Sequence, residues 1–216
     1  MTLARLLSFV WPVRVWKDGT GPGMLELTWE YGRLVVNSPH ANQSFGSLHR
    51  VWRQAFRDGG IARRVPKSVL ILGYGAGSAA HILRNELHLT PRITGVDQDP
   101  RMFDIARRYF PLKGLPPEDL ALADAFDYVR EARGPYDLII VDLFQDLEFA
   151  DGICDPGFLR TLRRLAPAPG MILLNTVAHD EKADRRSARL GEELRLVFTE
   201  VTEHHYDASN RVFIAL

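Results

Sequence analysis

From Val65 onwards, short apolar runs of strand length alternate with longer segments whose apolar residues recur at helical spacing. The run SVLIL is apolar throughout, as expected for a strand covered on both faces. Five strand and helix pairs follow one another, and their strands are predicted at 68–75, 92–99, 120–124, 136–144 and 170–177. The last segment, 199–216, has no room for a helix between its two strand-like runs, so these form an antiparallel pair. The pattern predicts an α/β fold, a doubly wound, mostly parallel, seven-stranded Rossmann-like sheet that ends in an antiparallel hairpin.

The pattern of the first 40 or so residues is different. Short runs of β-forming residues, VRVWKDG, MLELTWEYG and RLVVNS, are separated by glycine-containing turns. They predict a small antiparallel hairpin or meander. The following segment, SFGSLHRVWRQAFRD, has helical spacing and is ended by two glycines. We therefore predict a small N-terminal β lobe at 1–45 and a Rossmann-like domain at 46–216.

Composition and charge restrict the possible partners. Lys and Arg together number 27, as do Asp and Glu, so the formal net charge is zero and nothing in it favours nucleic acid. The single cysteine, Cys154, allows no disulfide framework within the chain and fits a reducing compartment. The apolar N-terminal run is too short to span a bilayer and has no small-residue cleavage site after it. We expect a cytoplasmic protein with no nucleic acid or membrane partner.

Three alternating glycines, Gly73, Gly75 and Gly77, occupy the turn between the first strand of the sheet and its helix. Glycine allows backbone to approach a ligand closely, and a helix N-terminus supplies donors for an anion. A dinucleotide fingerprint needs Gly or Ala where Ser78 stands, and a P-loop needs a lysine that is absent. The G-x-G-x-G spacing is typical of loops that hold adenosylmethionine-type ligands. A tight turn without a ligand explains the glycines equally well.

Acidic residues end the next three strands, at Asp97, Asp124 and Asp142. These ends meet at the crevice where open α/β sheets bind ligands. Asp97, 24 residues after the first glycine, is placed to accept both hydroxyls of a ribose, and Asp124 to accept from an adenine amino group. We assign their neighbours Gln98 and Ala125 to the same cofactor site. Asp124 also has the alternative role of a helix cap.

These residues belong to longer stretches that resemble the polyamine aminopropyltransferase (spermidine synthase) family. The resemblance is carried by VLILGYGAGSAAHILR, ITGVDQDPRMFDIARRYF, LALADAFDYVREARGPYDLIIVDLF and GFLRTLRRLAPAPGMILLN. It implies a small N-terminal β domain, a methyltransferase-type sheet, a homodimer, and aminopropyl transfer from decarboxylated S-adenosylmethionine to a small amine. It also implies that Asp97 holds the ribose, that Asp124 contacts adenine, and that Asp142 is catalytic.

The sequence departs from the family pattern in the half of the site that handles the amine. Ala76 replaces the aspartate of the family's glycine loop, and Gln145 replaces the second acid after the fourth strand, with Asp146 one residue late. The family's N-terminal Tyr and Gln align with Phe45 and Gly46, and Ser47 stands at the following Glu.

Three functions stay open. The first is aminopropyl transfer, in which a carboxylate, Asp142, takes the proton of the amine. The second is methyl transfer from S-adenosylmethionine to a small molecule, which Ala76 and Gln145 favour. The third is a catalytically silent nucleoside-binding or scaffolding protein whose pocket is empty or is occluded, with Tyr74 of the loop as the candidate for occlusion.

Some other residues have a structural or a functional interpretation. Four acids after the fourth strand either attract a cationic acceptor or are solvated and capping residues: Asp146, Glu148, Asp151 and Asp155. The tryptophans all precede the sheet and are predicted to pack the small lobe or a dimer contact: Trp11, Trp16, Trp29 and Trp52. His49 is predicted to lie in the core or at the surface. No metal site is predicted, because no Cys or His residues have zinc-like spacing.

Overall fold

The computed structural model describes residues 2–19, 23–39, 42–112, 118–145, 148–207 and 209–216, without the side chains of Gln145 and Glu148. A short helix, α1 (Leu3–Leu7), precedes the N-terminal sheet. That sheet is an antiparallel meander in the order β1 (Val13–Asp18), β2 (Leu25–Glu30), β3 (Arg33–Asn37) and β4 (Asn42–Ser44). The first three strands confirm the predicted meander. The structure adds α1 and β4.

Two helices connect this lobe to the larger sheet, α2 (Gly46–Asp58) and α3 (Ile61–Arg64). The predicted helical spacing is confirmed in α2, because one face of it buries Val51, Trp52 and Phe56. The helix ends at Gly59, as the paired glycines predict.

The larger sheet has seven strands in the order β12-β13-β11-β8-β5-β6-β7. The strands after α3 are β5 (Ser68–Leu72), β6 (Arg92–Asp97), β7 (Asp119–Leu122), β8 (Leu138–Val141), the short pair β9 (Phe144–Gln145) and β10 (Glu148–Phe149), β11 (Met171–Val177), β12 (Val201–Tyr206) and β13 (Asn210–Ala215). The five strands β7, β6, β5, β8 and β11 are parallel, and β13 is antiparallel to β11 and β12. The predicted fold class is confirmed, including the terminal hairpin.

Helices cover both faces of this sheet. They are α4 (Ser78–His81), which continues as a π-helical turn (Ile82–Glu86), α5 (Pro100–Tyr109), α6 (Ala125–Glu131), α7 (Pro156–Leu165) and α8 (Glu181–Val197). One apolar cluster packs α2 and α4 on one face, and another packs α6, α7 and α8 on the other. Asp99 and Asp155 cap α5 and α7, and each is followed by a first-turn proline.

The N-terminal lobe packs against the carboxyl edge of the sheet. Leu27, Val36 and Phe45 form an apolar cluster with Ala76 of the glycine loop and Met102 of α5. This contact places the lobe over the ends of β5 and β6. Within the described residues, every helix is too short or too polar to cross a membrane. The division of the chain at residue 45 stays a prediction.

Candidate active site

A cavity of about 550 Å³ lies at the carboxyl edge, between the N-terminal lobe and the sheet. Seven of the eight predicted site residues line it, namely Gly73, Gly75, Asp97, Gln98, Asp124, Ala125 and Asp142. Parallel strands end at one edge, so residues far apart in sequence meet there. The size suits a drug-sized or nucleoside-sized ligand.

The glycine loop has its three glycines in the left-handed region, with φ of +80° at Gly73, +56° at Gly75 and +87° at Gly77. The backbone N–H of Gly75 donates to Asp97 Oδ2 at 2.8 Å. Gly77 lies outside the cavity lining, and a Cβ there would stand 2.9 Å from Tyr74 Oη. Gly73 and Gly75 therefore face the predicted ligand site, whereas Gly77 is needed for the shape of the turn.

Asp97 ends β6, and its Oδ2 atom accepts the hydrogen bond from Gly75 of the glycine loop. Its second oxygen, Oδ1, accepts from the backbone N–H of Asp99 at 2.9 Å. Burial raises the pKa of Asp97, and hydrogen bonds from the backbone N–H groups of Asp99, Gly75 and Gln98 oppose that rise. The carboxylate is thus fixed against Gly75 at the floor of the cavity, the position predicted for a ribose partner.

Asp124 combines the two roles that the sequence leaves open. Its Oδ1 accepts from the backbone N–H groups of Phe126 at 2.8 Å and Asp127 at 3.0 Å, which makes it the N-cap of α6. The same residue lines the cavity beside Ala125. A cap does not exclude ligand contact, because a carboxylate has a second oxygen.

Asp142 follows β8 and is held by two side chains that donate to it. Trp52 Nε1 donates to Oδ2 at 2.9 Å, and Asn175 Nδ2 donates to Oδ1 at 2.9 Å. Asn210 Nδ2 donates to Asn175 Oδ1 at 3.2 Å, which fixes the amide so that its N–H group faces Asp142. Burial raises the pKa of Asp142 to about 6, helped by Asp97 and opposed by the two donors. The site thus holds a carboxylate that ionises just below neutral pH.

Sequence reasoning missed three of these residues, Trp52, Asn175 and Asn210. The prediction that Trp52 packs the small lobe or a dimer contact is wrong, because Trp52 is buried in the core between α2 and the seven-stranded sheet, where its indole N–H also donates to Asp142. Trp11 lies beyond the end of α1 and is 77% exposed, so it does not pack the small lobe, and its part in a dimer contact stays a prediction. The sequence signal for Asn175 is its polar side chain within the apolar run MILLNTV of β11.

The cavity is acidic. Asp97, Asp99, Asp124 and Asp142 line it, together with Arg101. Arg101 forms ion pairs with Asp99 at 2.6 Å and with Asp18 of the N-terminal lobe at 3.3 Å, so carboxylates already neutralise it. Among the described residues, no three His, Cys, Asp or Glu side chains converge as metal ligands would. The field of this cavity favours a cationic ligand.

Of the family-specific positions, Ala76 and Phe45 lie outside the cavity lining and Ser47 lies within it. Ala76 is buried in the cluster with the N-terminal lobe, and its N–H donates to Ser44 Oγ at 2.9 Å. Phe45 stacks on Phe110 with ring centroids 3.8 Å apart, outside the cavity lining. Ser47 does line the cavity and adds a hydroxyl to its wall. At these three positions the structure therefore differs from the family pattern.

The predicted occlusion by Tyr74 is wrong. Its side chain is buried beneath the loop against Gly95 and Gly77, where a Cβ on Gly95 would lie 2.3 Å from the ring. Its hydroxyl donates to Glu118 Oε1 at 3.2 Å. A ring that fills the space over two glycines leaves the large cavity open.

For two of the four acids after β8, the structure supports the alternative of a solvated or capping role. Asp151 is fully exposed and pairs with Arg186 at 2.8 Å, and Asp155 caps α7. Neither lines the cavity. Asp146 lies outside the described residues, as do the side chains of Gln145 and Glu148, so the prediction for these positions stays open.

Comparison with known proteins identifies the family. Residues 58–188, more than half of the chain, match the spermine/spermidine synthase domain. The chain belongs to this family. The resemblance inferred from the glycine loop and the strand-end acids is thereby confirmed.

Relatives of two kinds match the same region. A polyamine aminopropyltransferase of Chromobacterium violaceum is 31% identical over 121 residues, which cover 54% of this chain and 45% of the relative. An eEF1A lysine and N-terminal methyltransferase homolog of Drosophila melanogaster is 30% identical over 128 residues, 55% of this chain and 19% of the relative. The chain thus spans less than half the length of these relatives.

The fold has a close structural counterpart. The probable spermidine synthase of Corynebacterium glutamicum superposes with a TM-score of 0.68 over 94% of this chain and 78% of its own, at 18% identity. The likeness extends over both the N-terminal sheet and the seven-stranded sheet, and at this identity it bears on the fold alone.

Proposed function

We propose that this member of the spermine/spermidine synthase family transfers an aminopropyl group from decarboxylated S-adenosylmethionine to a small amine. The observation that carries the proposal is Asp142, a carboxylate with a pKa of about 6 that is held by Trp52 and Asn175 in the same cavity as Asp97 and Asp124. A base that ionises near neutral pH is suited to take a proton from an amine.

The reaction is an in-line displacement at the carbon next to the sulfonium. The lone pair of the amine nitrogen forms the new C–N bond, the C–S bond breaks, and the thioether leaves as a neutral group with the electron pair. The leaving group needs no acid, so the protein contributes orientation and removal of the proton from the amine. Asp142 is the only acid in the half of the cavity formed by the described residues of β8, β11 and β13 and the loops that follow them.

The charge of the cavity supports the decarboxylated donor. S-adenosylmethionine carries a carboxylate that needs a cationic or N–H partner, whereas the decarboxylated form carries only positive charge on its tail. Among the described lining residues the cation is Arg101, which Asp99 and Asp18 already pair. An acidic cavity holds the dicationic donor more strongly.

Methyl transfer from S-adenosylmethionine is the second candidate. Ala76 places a buried methyl group where the family has an acid that contacts the donor's amine, so the described part of this loop offers that amine no carboxylate. The Drosophila relative is named as a methyltransferase homolog. Both observations fit a donor whose tail differs from the aminopropyl group.

Calorimetric titration with S-adenosylmethionine, its decarboxylated form and methylthioadenosine tests the proposal directly. We expect the decarboxylated donor to bind at least tenfold more tightly than S-adenosylmethionine, because one unpaired carboxylate in this cavity costs about 1.4 kcal/mol or more. Tighter binding of S-adenosylmethionine would favour methyl transfer. Nucleoside binding without transfer to any amine would favour the silent protein.

The pH dependence of transfer is expected to follow Asp142. Its carboxylate must be ionised to accept a proton, so kcat/KM rises as the pH increases through about 6. Trp52→Phe removes an N–H group that stabilises the ionised form, which raises the pKa of Asp142 by about one unit and moves the midpoint of the profile upward equally.

The exposed Trp11 provides a matched control. Trp11→Phe makes the same chemical change at an exposed site, and the midpoint of its kcat/KM pH profile is expected to equal that of the wild type. An unchanged midpoint in Trp52→Phe would show that Asp142 does not govern the rate.

A further inference from the structure

A second hydrogen-bonded chain lies behind the glycine loop. His49 of α2 bonds through Nδ1 to Ser78 Oγ at 2.7 Å and through Nε2 to Glu86 Oε1 at 2.7 Å. His49 and Ser78 are buried, whereas the side chain of Glu86 is 27% exposed and pairs with Arg53 at 2.5 Å. The chain therefore runs from the buried start of α4 to solvent.

The direction of these hydrogen bonds follows from the charge of Glu86. Arg53 and His49 hold the pKa of Glu86 at about 2, so its carboxylate only accepts. The Nε2 atom of His49 consequently carries the ring proton, and Nδ1 accepts from the Ser78 hydroxyl. Burial lowers the pKa of His49, which keeps the ring neutral at rest. Ser78 Oγ retains lone pairs that can accept a further proton donor.

Neither hydrogen-bond partner of Asp142 can accept the proton that Asp142 takes from the amine. Trp52 Nε1 and Asn175 Nδ2 are donors only, so neither takes a proton from the carboxyl group. With donor and acceptor bound, the large cavity is filled on the other side.

A small cavity joins the two chains. It measures about 10 Å³, and Ser78, Asp142, Trp52, Gly73 and Ser44 are among its lining residues. This is the volume that one water molecule needs, and hydroxyl, carboxylate and backbone groups supply the polar partners that such a water requires.

We propose that one water in this small cavity connects Asp142 to Ser78, and that the chain Asp142, water, Ser78, His49, Glu86 carries the proton of the bound amine to solvent. Asp142 takes the proton from the amine nitrogen and passes it to the water, which gives one of its own to Ser78 Oγ. The Ser78 hydroxyl proton moves to His49 Nδ1, and the Nε2 proton leaves through Glu86. One N–H bond of the acceptor is broken, one proton reaches solvent, and the ring then returns to its Nε2–H tautomer. This proposal rests on the proposed function.

The benefit of such a relay can be calculated. An aliphatic ammonium has a pKa near 10.4, so its transfer of a proton to Asp142 alone has an equilibrium constant of about 10⁻⁴. Release to solvent at pH 8 raises the neutral fraction of the amine to about 10⁻², a gain of up to about 100-fold. The gain disappears near pH 6, where the solvent accepts the proton no better than Asp142 does.

Charged groups around the relay are few among the described residues. Glu86 of the π-helical turn, Arg53 of α2 and His81 of α4 face His49, and Asp97 of β6 faces Asp142. His81 lies beside the chain but outside it, bonded to Asn85. It therefore offers a matched control for His49.

The experiment is a pH series of single-turnover rates with saturating decarboxylated donor and a diamine. His49→Gln and Ser78→Ala each interrupt the relay, so each rate is expected to fall between about tenfold and 100-fold at pH 8 and to match wild type near pH 6. The double variant is no slower than either single variant, because the residues act in one chain. His81→Gln follows wild type at every pH, and donor affinity by calorimetry is unchanged throughout. A crystal structure at a resolution that shows ordered water places one molecule between Asp142 and Ser78.

Other results would contradict the relay. A ratio of wild-type to His49→Gln rates that is the same at pH 6 and pH 8 would assign His49 a structural role. A crystal structure with no water between Asp142 and Ser78 would also overturn the proposal. If the wild-type protein transfers the aminopropyl group and either of these results is obtained, only the relay is overturned. If the wild-type protein transfers to no amine, both the proposed function and the relay are overturned.

Discussion

Asp142→Asn is expected to lower kcat for transfer by roughly 10²–10⁴, the usual contribution of a general base, and to leave donor binding unchanged. The amide keeps the shape of the side chain and cannot take a proton. Because Asp97 and Asp124 hold the predicted nucleoside half independently of Asp142, calorimetry is expected to give the wild-type donor affinity.

The same substitution changes the pH dependence of stability in a defined direction. The pKa of Asp142 is raised from 3.8 to about 6 on folding, so its contribution to stability is full below pH 4 and is lost as the pH rises through 6. The loss amounts to at most about 3 kcal/mol. The variant does not suffer this loss, so its free energy of unfolding relative to wild type rises by up to that amount between pH 4 and pH 8.

Asp142→Asn also lowers the free energy of unfolding by an amount that does not depend on pH. Both partners of Asp142, Trp52 and Asn175, donate, and an asparagine offers them a single oxygen. One N–H group is left facing another, which costs about 1–3 kcal/mol at every pH.

Asp119→Asn is the control for Asp142→Asn, since that exposed carboxylate at the start of β7 makes a surface ion pair with Arg92. Urea unfolding at both pH values and single-turnover assays measure the effects. Wild-type kcat in Asp142→Asn would assign the base to another group.

The sequence predicts the architecture because each level of its pattern agrees with the next. Continuous apolar strands, capped helices and a final pair too close for a helix all require one doubly wound sheet. In such a sheet the carboxyl ends of parallel strands share an edge, so Asp97, Asp124 and Asp142 converge whatever their distance in sequence. Knowing the topology is therefore enough to place the acids.

The environment of each acid could not be predicted in the same way. Trp52 reaches Asp142 from a helix that precedes the sheet, and Asn175 reaches it from the neighbouring strand β11. The first contact depends on how α2 docks on the sheet, and the second on the register of β11 against β8, in which Leu174 pairs with Val141. Local pattern encodes neither. The structure also explains a residue that the sequence shows only as a departure from the family pattern. Ala76 is buried against the N-terminal lobe, which accounts for a small residue at this position. The Ser78–His49–Glu86 chain likewise exists only once α2 is docked on α4.

Gly73 has a reason that the sequence alone did not reveal. A Cβ at this position would lie 2.1 Å from the backbone O and 2.7 Å from the backbone C of Asp142. The ends of β5 and β8 are therefore in backbone contact at the residue that carries the candidate base. The left-handed φ of +80° adds a second reason for glycine.

Gly73→Ala is therefore expected to lower the free energy of unfolding by about 2–5 kcal/mol and to abolish transfer. The left-handed conformation costs an alanine about 1–2 kcal/mol, and forcing β8 away from β5 adds about 1–3 kcal/mol. Backbone atoms cannot swing aside as a side chain can, so Asp142 moves with β8 and loses its fixed distance to Trp52 and Asn175.

Gly60→Ala separates the two costs, because Gly60 has φ of +64° but its added Cβ would meet only the Arg63 side chain, at 3.3 Å. It is expected to cost only the 1–2 kcal/mol of the left-handed conformation. Urea unfolding of both variants gives the difference that belongs to the backbone contact. Equal losses would mean that β5 and β8 separate freely. A larger loss in Gly73→Ala, together with weaker donor binding, would show that this contact positions the glycine loop and the candidate base as one unit.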